Sequence, residues 1–124
     1  MPPAGGFAQP SIYTKEETAM TVITLTKENF KEEVLFSPVP VLLDFYADWC
    51  APCRMQATEV DKFAEKYGGE IKVGKINIDQ EEFLAQLYDV TAVPTLISME
   101  NGDIIEKSVG LIPHHMIDKL FVKE

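Results

Sequence analysis

At 124 residues the chain can hold one domain with a real core and leaves little room for a second. Its 46% apolar and 25% charged residues are those of a globular protein, and its net charge of −9 is repelled by nucleic acid and by anionic membranes. Two cysteines exclude a disulfide-stapled scaffold and a four-thiolate zinc or iron–sulfur site within one chain. Residues 1–19, with Pro2, Pro3, Gly5, Gly6 and Pro10, lack periodicity and read as a flexible N-terminal tail or extension. They have neither the basic nor the continuous apolar segment of a signal peptide. The domain is expected over residues 20–124.

Within it, elements alternate. Val22, Ile23 and Leu25 predict a short strand, and Thr26 an N-cap for a helix with Phe30, Val34 and Leu35 on one face. Ser37-Pro38-Val39-Pro40 ends that helix. The run from Val41 to Ala47 is nearly all apolar, as in a strand buried on both faces. A helix is predicted from about Ala51 to Tyr67, with Pro52 in its first turn and Gly68-Gly69 as its stop. Ile71 to Ile78 reads as a strand and Glu81 to Tyr88 as a short helix. Thr95–Met99 and Ile104–Val109 flank Asn101-Gly102-Asp103, a hairpin signal. Pro113 opens a last helix reaching about Val122. The order β-α-β-α-β-α-β-β-α predicts an α/β domain, a central mixed sheet flanked by helices on both faces.

The chemistry centres on Trp49-Cys50-Ala51-Pro52-Cys53-Arg54. Two cysteines three apart at a strand-to-helix junction can close a small disulfide ring. Cys50 sits where free N–H groups and the helix dipole favour a thiolate, the species that attacks disulfides. Cys53 lies one turn in, less exposed, placed to attack a mixed disulfide from behind. Pro52 fixes φ and stiffens the turn between the sulfurs. The alternative is a pair of buried spectator thiols or half a metal site. Cys-x-x-Cys before a helix in a β-α-β unit favours redox chemistry.

Asp44 stands in an otherwise apolar strand, six residues before Cys50. If buried, its carboxyl is pushed up, and it can accept a proton from Cys53. If the strand turns it outward, it is an ordinary solvated residue. Lys75, in the next strand, either tunes Asp44 or reaches solvent.

The segment from Asp44 to Cys53 resembles the active site of thioredoxins, in a Trp-Cys-Ala-Pro-Cys variant. Lys75-Ile76-Asn77-Ile78-Asp79, Val93-Pro94-Thr95, Asn101-Gly102 and Val109-Gly110 match that family in order and spacing. The resemblance covers about residues 20–124 and implies the thioredoxin fold. It also implies that Pro94 is cis and faces the active cysteines. Val93, Pro94 and Thr95 then form one wall of a substrate groove, with Trp49, Ala51-Pro52 and Val109-Gly110-Leu111 as the others. Gly110 suits close approach of a substrate chain. Without the resemblance, Val109 and Leu111 read equally well as core.

Three departures are visible. Ala51 stands where the family commonly has Gly, Tyr46 where it often has Trp, and Thr58 where it usually has a helix-kinking Pro. A straighter helix is expected at Thr58. His114 and His115 are adjacent near the last helix start and point about 100° apart, so they read as surface or capping residues, with no metal site.

The implied activity is reduction of protein disulfides through Cys50 and Cys53. No bound cofactor is needed. The resemblance implies disulfide-containing substrate proteins as partners, and a thioredoxin reductase with NADPH or ferredoxin as electron source. A monomer in the reducing cytoplasm, with no nucleic-acid or membrane partner, is the expected setting. Two rivals use the same fold: an oxidase or isomerase in an oxidising compartment, and a docking module without redox turnover.

Overall fold

The computed structural model describes residues 22–122, so the expected tail over residues 1–19 lies outside the described residues. Strand β1 (Val22–Thr24) is followed by a short π-type helix, α1 (Lys31–Leu35). Next come β2 (Val41–Tyr46) and the long helix α2 (Ala51–Tyr67). Then follow β3 (Lys72–Asn77), α3 (Glu82–Leu87), β4 (Thr95–Glu100) and β5 (Asp103–Val109). The last predicted helix is split. It is α-helical only as α4 (His114–Ile117) and tightens to a 3₁₀ turn over Asp118–Phe121.

The five strands form one mixed sheet in the order β1-β3-β2-β4-β5. β1, β3 and β2 run parallel, β4 is antiparallel to β2, and β5 is antiparallel to β4. The expected mixed sheet is therefore present, with β2 at its centre. Side chains alternate along β2, so each of its residues belongs to one of two cores. Leu43, Phe45 and Ile97 pack with Phe30 and Val34 beside α1 and with Leu84 of α3. Leu42 and Leu96 pack with Val60 and Phe63 of α2 and with Ile117 and Leu120.

Local chemistry explains the boundaries. Gly68 ends α2 in the left-handed region at φ 50°, its N–H donating to Ala64 O. Asn101 and Gly102 both have positive φ, 54° and 84°, as a two-residue hairpin requires. The N-cap expected of Thr26 takes another form. Thr26 O accepts the Phe30 N–H, while the Asn29 carboxamide oxygen accepts the Thr26 N–H at 2.8 Å. The Phe36 N–H donates to Lys31 O, five residues back, and this wider turn carries Leu35 out to the surface. Only Phe30 and Val34 of the predicted apolar face are buried. Helix α2 runs unbroken through Thr58, as its missing proline leads one to expect.

Candidate active site

β2 delivers the chain to the site. After Tyr46 a tight turn, with the Cys50 N–H donating to Ala47 O at 3.3 Å, leads into α2. Cys50 is extended, at φ −99° and ψ 109°, and is the N-cap of α2. Its sulfur takes the place of a capping oxygen and accepts the Cys53 N–H at 3.1 Å. Pro52 stands in the first turn, where its missing N–H breaks no helical bond. Cys50 and Cys53 are joined as a disulfide, the oxidised form of the pair. In this state both are covered about equally, at 5% and 4% exposure, rather than Cys53 being the more hidden.

The segments expected to line the groove meet around this disulfide. The Val93–Pro94 bond is cis, and Val93 O lies 3.8 Å from the Cys50 sulfur. Pro94 O accepts the Gly110 N–H at 2.9 Å, which fastens the 109–111 segment to the 93–95 segment. Gly110 has φ 103°, and a Cβ there would meet nothing within 4 Å. The position therefore needs glycine for its backbone conformation, and the side a Cβ would occupy is open. Val109 and Leu111 are surface residues, 63% and 41% exposed, so their reading as core falls. Ala51 and Pro52 are exposed as well. Thr95 differs: its side chain is buried, its hydroxyl donates to Ala92 O at 2.7 Å, and its strand is paired on both edges, with β2 and β5. Trp49 is 68% exposed yet oriented, its indole N–H donating to Asp79 Oδ2 at 2.9 Å. Beyond Leu111 a cleft of about 310 Å³ opens, lined by Met55, Glu59, Ile112 and Pro113.

Asp44 lies beneath this surface, 1% exposed, on the sheet face that α2 covers. Its solvent-facing reading is excluded. The parallel register sets Lys75 directly beside it, with Nζ 3.4 Å from Oδ2. Neither carboxylate oxygen receives a hydrogen bond of good geometry. Burial therefore dominates and pushes the carboxyl from 3.8 up to about 6, Lys75 opposing the shift and Asp61 adding to it. Lys75 does both things the sequence left open: it pairs with Asp44 and keeps 22% of its side chain in contact with solvent. Its ammonium also rests over the Tyr46 ring, 5.2 Å from the centroid. Tyr46 is thus part of the charged pair's setting. The alternation of β2, which puts residues 44 and 46 on one face, is the signal that could have found it.

His115 is exposed, and His114 opens the last helix behind its N-cap Pro113 without capping it. The His114 N–H donates to Glu59 Oε1 at 2.7 Å, and its ring Nδ1 lies 2.9 Å from the same oxygen. These bonds hold the Glu59 carboxyl down at about 2. Among the described residues no group of three His, Cys, Asp or Glu side chains could hold a metal ion. Nor is any described helix long and apolar enough to cross a membrane.

A disulfide at a helix N-terminus, beside a proline segment on a mixed α/β sheet, defines a thiol–disulfide oxidoreductase. Comparison with known proteins agrees. The thioredoxin family model matches residues 21–123. Thioredoxin 1 of Nostoc sp. is 42% identical over 99 residues, covering 80% of this chain and 92% of that protein. Thioredoxin of Porphyra purpurea is 38% identical over 104 residues, covering 84% and 97%. Mitochondrial thioredoxin of Bos taurus is 34% identical over 113 residues, covering 91% and 68%. The chain belongs to the thioredoxin family. It is a protein-disulfide oxidoreductase, with disulfide-bearing proteins and a thioredoxin reductase as its partners in general terms. Family members need no bound cofactor for this chemistry.

Proposed function

We propose that the protein reduces substrate disulfides, with Cys50 as nucleophile, Cys53 as resolving thiol and Asp44 as proton acceptor. The observation that carries this reading is the Cys50 sulfur at the N-cap of α2, accepting the Cys53 N–H. In the reduced protein the same donor and the helix dipole favour the Cys50 thiolate. That thiolate attacks one sulfur of the substrate disulfide. The substrate S–S bond breaks, one substrate thiolate leaves, and a mixed disulfide forms. Cys53 then gives its proton to Asp44 and attacks the Cys50 sulfur. The second substrate thiolate leaves, and the two electrons end on the substrate while Cys50–Cys53 is oxidised.

An Asp44 carboxyl near 6 suits the transfer: it is largely ionised at pH 7, yet basic enough to take a thiol proton. Lys75 tunes that basicity. Substrate lies across Trp49, Ala51 and Pro52, pairs with the backbone of Val93, Pro94 and Thr95, and meets Val109, Gly110 and Leu111. A thioredoxin reductase drawing on NADPH or ferredoxin restores the dithiol. The protein works as a monomer, and the reducing direction suits the cytoplasm. Cys50→Ser is expected to abolish turnover of protein disulfides in a coupled reductase assay. Cys53→Ser is expected to trap the mixed disulfide. Catalysis surviving in Cys50→Ser overturns the assignment.

A further inference from the structure

Helix α2 turns Cys53, Gln56, Val60, Phe63 and Ala64 inward, and Gln56 is the only amide among them. Its side chain is fully buried. Both of its ends are used, and on one residue. Nε2 donates to Ile112 O at 2.9 Å, and the Ile112 N–H donates to Oε1 at 3.0 Å. This is the two-bond pattern by which one peptide group pairs with another, made here between a helix side chain and a loop. A carboxamide supplies a donor and an acceptor in that fork at any pH, with no proton to gain or lose.

The loop it grips is the groove wall. Ile112 follows Leu111, and two residues earlier the Gly110 N–H is bonded to Pro94 O. One turn further along α2, Glu59 takes the His114 N–H. The stretch from residue 110 to 114 is thus held by the cis-proline segment at one end and by α2 at the other. Because Gln56 is three residues after Cys53, the same helix carries the resolving cysteine and the clamp on the wall. An aliphatic residue could fill this space, but it would leave the half-buried donor and acceptor of Ile112 without these partners, and the loop would shift to find others.

We propose that Gln56 is a positioning residue for substrate: it sets the 109–111 wall relative to the disulfide and so governs the affinity for folded protein substrates. The proposal rests on that wall contacting substrate. Gln56→Leu preserves volume and removes both hydrogen bonds, and Gln56→Met provides a second apolar replacement of similar length. The readouts are kcat and KM for a disulfide-bonded protein, the rate with a small aromatic disulfide, and exchange of the Ile112 amide hydrogen. Loss of about 1 kcal/mol of positioning predicts a roughly fivefold rise in KM for the protein substrate, with kcat held within about twofold. The rate with the small disulfide is unchanged and the Ile112 amide exchanges faster. A fall in thermal stability with KM unchanged shows a purely structural glutamine and overturns the proposal. So does an equal loss with both substrates. Leu111→Ser separates the two layers of the argument. If it leaves KM unaltered, the groove assignment itself fails. If it raises KM while the folded Gln56 variants do not, the positioning role alone fails.

Discussion

Asp44 and Phe45 are neighbours in β2, both at 1% exposure or less, and they face opposite cores. The core beside α1 and α3 is mainly apolar, with Phe45 tilted against Tyr88 at 6.4 Å between centroids, and its buried Thr95 turns its hydroxyl to the backbone oxygen of Ala92. The face beneath α2 and α4 carries the buried polar side chains Asp44, Gln56, Asn77 and Ser98. Gln56 and Ser98 are satisfied by backbone partners, Ser98 donating to Leu120 O. Asp44 receives no such bond and relies on Lys75 at 3.4 Å. One layer is therefore nearly all apolar, and the other gives up stability by burying a carboxyl.

Substitutions at these neighbours are expected to move stability in opposite directions. Phe45→Ala opens a cavity in the apolar layer and is expected to cost about 4 kcal/mol in denaturant unfolding, with turnover per folded molecule little changed. Loss of turnover beyond the unfolded fraction would dissolve the distinction between the layers.

Asp44→Asn sharpens it from the other side. The folded carboxyl lies near 6 and the unfolded one near 3.8, so between those values the folded chain holds a proton that the unfolded chain has released. Stability thus falls as pH rises through that window, and above about pH 6 the full cost of about 3 kcal/mol is present. Asn never ionises. The variant is expected to be about 2–3 kcal/mol more stable at pH 7, to lose the pH dependence between 4 and 6, and to resolve mixed disulfides more slowly. Urea unfolding across that range, together with stopped-flow reduction, checks all three. Unchanged stability at pH 7 would mean that burial does not set the carboxyl.

Lys66→Ala is the small control. Its ion pair with Asp118, at 2.6 Å, ties α2 to the 3₁₀ turn, but half of the lysine side chain is in solvent. The expected change in stability is small and shrinks further in salt. A larger loss would give the α2–C-terminal contact a weight that only the buried layer should have.

Much of this was legible in the residues. The apolar run in β2, the Gly68 stop and the Asn101-Gly102 turn act locally, through burial on both faces and positive φ, so their spacing predicts the elements directly. The cysteine pair at a strand-to-helix junction did the same for the redox centre. Gln56 left a fainter trace, a polar residue at an inward position of the 53, 56, 60, 63 series. Nothing local showed that its partner would be Ile112, because that pairing spans 56 residues. The π-type turn at Lys31–Leu35 was hidden too, since its five-residue hydrogen bond competes with ordinary helix over a stretch that either geometry could use.

The sequence by itself determined the order of elements, the redox pair and an acid in the central strand. Each follows from side-chain period, backbone permission or thiol chemistry acting over a few residues. Only the tertiary structure decided that Asp44 is dry, that Lys75 and Tyr46 share its face, that Val109 and Leu111 are surface while Thr95 is not, and that Gln56 bonds the backbone of Ile112. These depend on which strands become neighbours and on what α2 covers. Desolvation and long-range hydrogen bonds arise only when segments far apart in the chain are packed together.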